Sequence, residues 1–313
     1  MIVALAGGVG AARFIEGLVK VYPEERTTII VNTGDDIELY GLHISPDIDI
    51  IAYTLAGIVD KNKGWGIEGD SFNFLNMLKN YGVDTWFNIG DRDLATHITR
   101  TNFLKQSLTL SEATDRLSRL LNVKARILPM SNEKFQTRII TDRGNMHFQE
   151  YLVKRSSQDQ VHDILFEGKK KAKPAPGVIE SILDAELIIL CPSNPLVSIR
   201  TILSVNGIEK ALKETKAKII SITPLIGGSP IKGPLDKMMK GMGLEVSSYS
   251  IANMYKDFID AFVLDVTDRH LKDKIESLRI HVYVIDTLMK GLKEKMQIAE
   301  NILRIGEELK REE

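Results

Sequence analysis

The sequence contains a single cysteine, Cys191, among its 313 residues. One cysteine excludes an intrachain disulfide and a zinc site built from cysteines. Because Cys191 follows an apolar run with the pattern of a buried strand, we expect a small and chemically inert core side chain. No apolar run is long enough to cross a bilayer, and the N-terminal one lacks the basic flank of a secretion signal. These absences predict a cytoplasmic protein with no membrane segment.

The sequence also lacks an excess of charge and several common catalytic motifs. With 41 basic and 42 acidic residues, its formal net charge is −1, so we expect no nucleic-acid partner. The basic tract 168–173 contains no aromatic residue, which favours a solvated connector. The six histidines show neither HxH nor HExxH spacing, and no G-x-S-x-G or Walker Gly-Lys-Ser/Thr segment occurs. A histidine zinc centre, a serine hydrolase and a P-loop are therefore not expected.

Short apolar runs alternate with helical patterns along most of the chain. Such alternation is typical of βαβ units and predicts an α/β protein with a Rossmann-like, doubly wound, mostly parallel sheet and helices on both faces. In the range 46–123, apolar residues instead recur at three- and four-residue spacing. A chain of 313 residues exceeds the usual size of one domain. We therefore predict a nucleotide-binding core of residues 1–45 and 124–313, with a mostly helical insertion of residues 46–123.

The turn after the first predicted strand is a candidate phosphate site. The apolar run 2–6 is followed by Gly7, Gly8 and Gly10, and then by a helical pattern. Bare backbone N–H groups at such a turn approach an anion closely, and the helix dipole favours negative charge. Arg13 stands where the third glycine of a dinucleotide motif would be. The same glycines are equally typical of a tight strand-to-helix turn that binds nothing.

Aspartates cluster after the second predicted strand, residues 28–32. Asp35 and Asp36 follow it directly, and Asp47 and Asp49 follow a Ser-Pro turn. Each of them can cap a helix or a turn. An acid at the end of the second strand can also hold the ribose of NAD, and hard oxygen donors beside a phosphate suit Mg²⁺.

Two later loops at predicted strand ends offer further polar groups. Ser193 and Asn194 lie between two prolines that stiffen the backbone. The loop after the strand 218–222 contains two adjacent glycines, Gly227 and Gly228, and then Lys232. A glycine-rich loop with one lysine favours a phosphate contact.

Four aromatic residues of the insertion are expected in the core. They are Trp65, Phe72, Trp86 and Phe87. Because glycines and acids surround two of them, an aromatic wall for a flat ligand is the alternative.

Ten short segments occur in a consistent order between the first strand and Met289. They read AGGVGAAR, VNTGDD, ISPDID, GIEGDSF, IGDRDLATH, HFQEY, PAPGVIESI, CPSNPLVSI, ITPLIGGSPIKGP and IDTLM. Together they resemble the 2-phospho-L-lactate transferase family of coenzyme F-420 biosynthesis, which is called CofD. The gluconeogenesis factors share the glycine turn and the fold, but the SPDID and GDRDLATH segments are more similar to the transferases.

The resemblance implies a Mg²⁺-dependent transfer of a 2-phospholactyl group. The donor would be lactyl-2-diphospho-5'-guanosine and the acceptor the ribityl hydroxyl of 7,8-didemethyl-8-hydroxy-5-deazariboflavin, a deazaflavin. The products would be the precursor F-420-0 and GMP. The donor acid, phospholactate or phosphoenolpyruvate, depends on pocket shape and stays open. A nucleotide-sugar-binding regulator and an NAD-dependent dehydrogenase remain alternatives, and a homodimer is expected.

The resemblance, with the chemistry of phosphoryl transfer, also implies roles for individual residues. The metal ligands would be Asp35, Asp36 and Asp49. An aspartate near the acceptor hydroxyl can act as general base, with Asp49 as first choice and Asp36 as second. The deazaflavin would contact Asp49, Asn88, Asp47, Asp91 and Arg92, although the family allows a basic residue where Asn88 stands. The guanine nucleotide would lie against Gly7, Gly8, Gly10, Ser193, Asn194, Pro195, Gly227, Gly228 and Lys232.

Overall fold

Parallel strands form the centre of the computed structural model, which describes residues 1–311. In chain order the strands are β1 (Ile2–Ala6), β2 (Thr27–Val31), β3 (Ile37–Leu39), β4 (Leu42–Ile44), β5 (Arg126–Pro129), β6 (Gln136–Thr141), β7 (Gly144–His147), β8 (Val161–Glu167), β9 (Leu187–Leu190), β10 (Lys218–Ile222), β11 (Leu225–Ile226), β12 (Ser229–Pro230), β13 (Ala261–Asp265) and β14 (His281–Ile285). The α-helices are α1 (Gly8–Val21), α2 (Pro46–Leu55), α3 (Asn73–Asn80), α4 (Asp91–Lys105), α5 (Leu110–Leu120), α6 (Val178–Leu183), α7 (Arg200–Leu203), α8 (Ile208–Glu214), α9 (Leu235–Gly241), α10 (Ser248–Tyr255), α11 (Lys272–Glu276) and α12 (Leu292–Arg311).

Seven of these strands form one sheet in the order β14-β13-β10-β9-β1-β2-β5, and neighbouring strands pair in parallel. From β1 the chain adds β2 and β5 on one side, and it then returns to β9 and builds the other side. The direction of winding therefore reverses between β1 and β9. In an open parallel sheet, such a reversal leaves a crevice for ligands at the carboxyl ends of the strands. The predicted α/β, doubly wound class is confirmed.

The central strand β1 is buried along its whole length. Successive side chains of a strand point to opposite faces of the sheet. Val3 and Leu5 accordingly join the core cluster that contains α6 and α8, whereas Ile2, Ala4 and Ala6 join the cluster that contains α1 and α12. Burial on both faces requires a continuous apolar run, which is why this strand is visible in the sequence.

The C-terminal helix α12 packs along α1 on one face of the sheet. A Cβ atom at Gly17 would lie 2.4 Å from the backbone of Lys295, so glycine permits this close approach. The Lys295 ammonium group also donates to the carboxylate of Glu16. Among the described helices, none combines the length and the apolar character that a membrane span requires.

A small antiparallel sheet lies outside the main one, between β5 and α6 in the chain. Its strand order is β7-β6-β8. The inward side chains of Ile139, Met146 and Ile164 belong to the same core cluster as Val3 and Leu5. This sheet therefore covers one face of the main sheet and does not extend it.

The predicted insertion, residues 46–123, contains α2, α3, α4 and α5 joined by loops. Ile48 and Ile51 of α2 belong to the core cluster that contains α1. By contrast, Leu75 and Ile89 form a small separate cluster with Ile44 of β4. By packing, α2 is thus part of the main core, and the division of the chain into core and insertion stays a prediction.

Candidate active site

A cavity of about 680 Å³ opens at the carboxyl ends of the central strands. Residues that follow β1, β2, β9, β10 and β14 form one part of its wall. The other part comes from α2, α4, the loop segment 63–66, the segment 87–88 and the segment 148–153 after β7. The cavity therefore lies at the switch point of the sheet, where α/β proteins of this type bind ligands.

The glycine turn at the start of α1 lies in this wall, but the protein itself occupies two of its N–H groups. Gly7 N–H donates to Ser193 Oγ at 3.1 Å, and Gly8 N–H donates to Asp47 Oδ1 at 2.9 Å. A Cβ atom at Gly10 would lie 2.3 Å from the carbonyl oxygen of Pro192. The glycines thus allow the loops to pack closely, and the anion at this helix N-terminus is the Asp47 carboxylate.

Two buried carboxyl groups, those of Asp35 and Asp47, line the cavity beside the turn. Burial, together with the neighbouring Asp47 carboxylate, raises the pKa of Asp35 well above its usual value. Burial likewise raises the pKa of Asp47 to about 7, although hydrogen bonds from Asn32 and Gly8 oppose the rise. Asp35 Oδ1 is buried without a hydrogen-bond partner. The pair is therefore short of positive charge, and Asp35 Oδ1 also lacks a hydrogen-bond donor.

This shortage fits a divalent cation. Mg²⁺ takes hard oxygen ligands, commonly one or two carboxylates with the remaining positions filled by water and phosphate. Asp35 and Asp47 offer such oxygens at the edge of a cavity large enough for a nucleotide. Asp47 was expected at the deazaflavin or as a cap, yet both of its oxygens accept hydrogen bonds from other elements, Gly8 of α1 and Asn32.

Asp49 also lines the cavity, but its partner is a buried arginine. Arg100 Nη1 donates to Asp49 Oδ2 at 3.1 Å, and Arg100 Nη2 donates to Oδ1. The predicted metal ligands were Asp35, Asp36 and Asp49. Within residues 1–311, the carboxylate oxygens of these three residues do not all lie within 4.8 Å of one another, so they do not form one metal site. The Arg100 guanidinium already supplies positive charge to the Asp49 carboxylate. Asp49 therefore differs from Asp35 and Asp47, which have no such partner in the described part of the chain.

Helix α4 places two further polar side chains beside Asp49. His97 Nδ1 lies 3.6 Å from Asp49 Oδ2, and His97 Nε2 lies 3.3 Å from Asp93 Oδ1. Tyr53 of α2 donates its hydroxyl to the same Asp93 oxygen at 2.7 Å. Burial acts to raise the pKa of Asp93, but His97 and Tyr53 outweigh it and the pKa is lowered. Asp49, Asp93 and His97 could each offer a ligand atom to one ion, but the adjacent guanidinium disfavours a second cation there.

Asp36 was the second candidate for the general base. Among the described residues, it is not one of those that line the cavity. Its Oδ2 accepts from Ser45 Oγ at 2.8 Å and lies 3.0 Å from His43 Nε2. Burial raises the pKa of Asp36, and His43 partly offsets that rise. These contacts join the end of β2 to β4 and to the start of α2. The Asp36 carboxyl group therefore stabilises the segment 32–45, which contains β3 and β4, and does not face the cavity.

Asp91 and Arg92, which were expected at the deazaflavin, are also not among the described residues that line the cavity. The Asp91 carboxylate accepts the N–H groups of Asn73 and Phe74 and the hydroxyl of Ser71. The N–H of Phe74 and the Ser71 hydroxyl lower the pKa of Asp91 to about 2. Arg92 Nη1 donates to the carbonyl of Glu68 at 3.1 Å. Asp91 thus caps α3, and Arg92 holds the loop before it.

The residues predicted at the nucleotide divide into two sets. Ser193, Asn194 and Lys232 line the cavity together with the glycine turn. Gly227 and Gly228 instead form the tip of the β11–β12 hairpin, with φ angles of 60° and 70°. Pro195 is buried as the first residue of the helical turn after Asn194, whose side chain caps that turn. The tip glycines are explained by left-handed backbone and need no phosphate.

Asn88 and two of the four aromatic residues line the cavity. Phe87 is half-buried in the wall next to Asn88. Trp65 is 39% exposed, with the Lys63 ammonium group 5.6 Å from its ring centre. The expectation of a core position is therefore wrong for Trp65, because its loop runs over the mouth of the cavity and not into the core.

Two buried residues of α4 were not foreseen as site residues: His97, which lines the cavity, and Arg100, which contacts Asp49. Together with Asp93, which the sequence offers as a possible oxygen ligand, they follow one another at intervals of four and three and so share one face of α4. All three are buried. The buried residues of α4 are Asp93, His97, Arg100 and Thr101. Titratable residues that recur at helical spacing are therefore a signal that sequence reading could use.

Comparisons with known proteins identify the family of this chain. The family described as 2-phospho-L-lactate transferase CofD matches residues 2–302. A phosphoenolpyruvate transferase of Kitasatospora aureofaciens is 40% identical over 99% of this chain and 98% of its own. A 2-phospho-L-lactate transferase of Methanothermobacter thermautotrophicus is 40% identical over 97% of both chains.

A solved structure shows the same fold at low sequence identity. It is a member of the UPF0052 family from Bacillus halodurans, with a TM-score of 0.62 and 16% identity, covering 96% of this chain and 98% of its own. The full-length family match and the 40% identity go further than the fold alone. The chain belongs to the CofD family, whose described activity is that of a 2-phospho-L-lactate transferase.

Proposed function

We propose that this protein transfers the 2-phospholactyl group of lactyl-2-diphospho-5'-guanosine to the ribityl hydroxyl of the deazaflavin 7,8-didemethyl-8-hydroxy-5-deazariboflavin. The products are F-420-0 and GMP. The observation that carries the proposal is one cavity whose wall contains both a cation-seeking acid pair and the aromatic residues Trp65 and Phe87, in a chain of this family. Such a cavity suits a charged diphosphate and a flat tricyclic acceptor.

The donor is assigned to the side of the glycine turn. Arg13, Lys63 and Lys232 line the cavity and bring positive charge to it. Lys232 Nζ donates to the carbonyl of Lys63 at 3.1 Å, so the two loops meet across the mouth. These three cationic side chains can neutralise a diphosphate directly. A metal ion bound by Asp35 and Asp47 can neutralise it further. The deazaflavin is assigned to the side of α2, near Phe87 and Asn88.

Phosphoryl transfer of this kind depends on alignment and on charge neutralisation. The acceptor hydroxyl attacks the phosphorus that bears the lactyl group, the bond from that phosphorus to the GMP oxygen breaks, and the hydroxyl proton passes to the Asp49 carboxylate. Asp49 accepts a hydrogen bond from the hydroxyl and orients it. Mg²⁺ held by Asp35 and Asp47 would stabilise the negative charge that develops on the phosphate oxygens.

The decisive experiment is a mass-spectrometric assay of the purified protein with the deazaflavin, lactyl-2-diphospho-5'-guanosine and Mg²⁺. We expect a phosphodiester product, an equal amount of GMP, and loss of both with EDTA. Because the relatives include both kinds of transferase, the phosphoenolpyruvyl donor is assayed in parallel. Product from neither donor would refute the transferase. Thermal stabilisation by a UDP-sugar or by NAD, and not by GDP, would then favour the regulator or the dehydrogenase.

Asp49→Asn tests the acceptor side. Replacing a charged hydrogen-bond acceptor costs about 1.5–3 kcal/mol, so kcat/KM for the deazaflavin should fall about 10- to 150-fold. The KM of the donor should stay unchanged, because no contact with the donor is assigned to Asp49. Steady-state kinetics with each substrate varied in turn measure both values, and unchanged turnover would contradict the role of Asp49.

A further inference from the structure

We propose that Arg100 is the positioning residue that fixes Asp49 toward the acceptor hydroxyl, an inference that rests on the proposed function. Arg100 is 1% exposed and does not line the cavity. Asp49 does line it, and both of its carboxylate oxygens accept N–H groups of the Arg100 guanidinium. Arg100 can therefore act on a substrate only through its neighbours, and Asp49 is the neighbour that accepts two of its N–H groups.

The planar guanidinium sets the direction of the carboxylate. Two N–H groups held in one plane match the two oxygens of Asp49, so the carboxylate cannot rotate without losing a charge-assisted hydrogen bond. Asp49 comes from the first turn of α2 and Arg100 from α4. The pair thus also fixes the spacing of the two helices that form this part of the wall.

The surrounding polar groups keep Arg100 in place. Arg100 Nη1 lies 3.5 Å from His97 Nδ1, and His97 Nε2 lies 3.3 Å from Asp93. Tyr53 donates its hydroxyl to Asp93 on the far side of this group. His97 therefore links the guanidinium to Asp93, and the free lone pairs of Asp49 remain available to a neutral hydroxyl donor.

The pair is not arranged for stability alone. Arg100 Nε is buried without a hydrogen-bond partner. Buried ion pairs are often replaceable by apolar side chains at no loss of stability, and an unpaired buried N–H adds a further penalty. The Arg100 guanidinium has one unpaired N–H and directs two others at Asp49 in the cavity wall. This arrangement is better explained by a role in orienting the Asp49 carboxylate than by a role in stability.

The test compares Arg100→Lys, Arg100→Met, Asp49→Asn and the double variant Asp49→Asn/Arg100→Met. Lysine keeps the charge but provides no planar fork. We expect kcat/KM for the deazaflavin to fall about 10-fold in Arg100→Lys and about 10- to 150-fold in Arg100→Met, with the donor KM within about twofold. The double variant should be no slower than the slower single variant, because both changes remove one interaction.

A merely structural role predicts a different pattern. It predicts a lower melting temperature, changes in the KM of both substrates, and losses that multiply in the double variant. That pattern, or normal kinetics in Arg100→Lys, would overturn the proposal. If Arg100→Met does not fold, Arg100→Lys decides the question alone. The control is Arg119→Met, which breaks an exposed ion pair with Asp115 and should leave the kinetics unchanged.

The two proposals fail in distinguishable ways. If the wild-type protein forms no product with either donor, the proposed function is wrong. If the wild-type protein and Arg119→Met are active and Arg100→Lys is equally active, the proposed function stands and the role of Arg100 is wrong.

Discussion

Replacing Asp35 by asparagine should stabilise the metal-free protein and remove its response to Mg²⁺. Asp35 is buried, its Oδ1 has no partner, and the Asp47 carboxylate lies close enough to raise its pKa. A carboxyl group whose pKa is higher in the folded state than in the unfolded one destabilises the fold once it is ionised. Asparagine keeps the shape of the side chain and removes this charge.

The magnitude follows from the unpartnered carboxyl oxygen. A buried group left without its hydrogen-bond partner costs about 1–3 kcal/mol, and Asp35 Oδ1 is such an atom. Removing the charge of Asp35 should therefore recover about 2 kcal/mol. An unfolding entropy of about 2.1 cal/mol/K per residue then gives a rise in Tm of about 3 °C.

The sign of the effect depends on pH. The wild-type penalty is absent below the unfolded pKa of about 3.8, grows as pH rises toward the folded pKa, and is complete above it. Asp35→Asn should therefore melt about 3 °C above the wild type at pH 8, with a smaller difference at pH 5. Mg²⁺ should raise the Tm of the wild type and not that of Asp35→Asn.

Thermal unfolding at pH 5 and pH 8, with and without MgCl₂, measures all of these quantities. Asp115→Asn is the matched control, because Asp115 is exposed and should respond like the wild type. A variant that is less stable than the wild type at pH 8, or that still gains stability from Mg²⁺, would refute the account of the acid pair.

Three further variants or reagents test other parts of the site. Lys232→Ala should raise the donor KM about tenfold through loss of a charge-assisted contact, while Lys240→Ala, on the exposed side of α9, leaves it unchanged; equal values would remove Lys232 from the donor side. Gly10→Ala places a methyl group 2.3 Å from the Pro192 carbonyl oxygen and should lower the free energy of unfolding by about 1–3 kcal/mol, which urea titration measures. Cys191 should not react with a disulfide reagent until the protein is unfolded, because burial raises the pKa of its thiol; rapid reaction of the native protein would contradict this.

Much of the fold could be predicted because the main strands are buried on both faces. β1 and β10 occur at the predicted residues, 2–6 and 218–222, and β2 begins one residue earlier than predicted. Such strands require continuous apolar runs bounded by glycine or polar turns. The turn residues 142–145 between two short apolar runs also predict a hairpin, and β6 and β7 pair there. The pairing of β8 with β6 was less accessible, since the sequence does not state which distant strands share a sheet.

The candidate site could be predicted only in outline. The sequence indicated Asp35, Asp47 and Asp49 near a glycine turn, and the structure brings all three to one cavity. Their partners depend on the fold. Asp49, for example, contacts Arg100, which lies 51 residues further along the chain and in another helix. Asp36, only one residue after Asp35, lies behind the wall because successive side chains leave the backbone in different directions.

By itself, the sequence determined the α/β class, the family and the set of acidic residues from which the site is drawn, because these depend on local patterns and on short ordered segments. Tertiary structure alone decided which of those acids share the cavity, and that Gly8 binds the protein's own Asp47. It also decided that a buried arginine holds Asp49. Partners and burial arise only when distant segments pack together, and they determine which carboxylate can bind a cation and which can orient a hydroxyl.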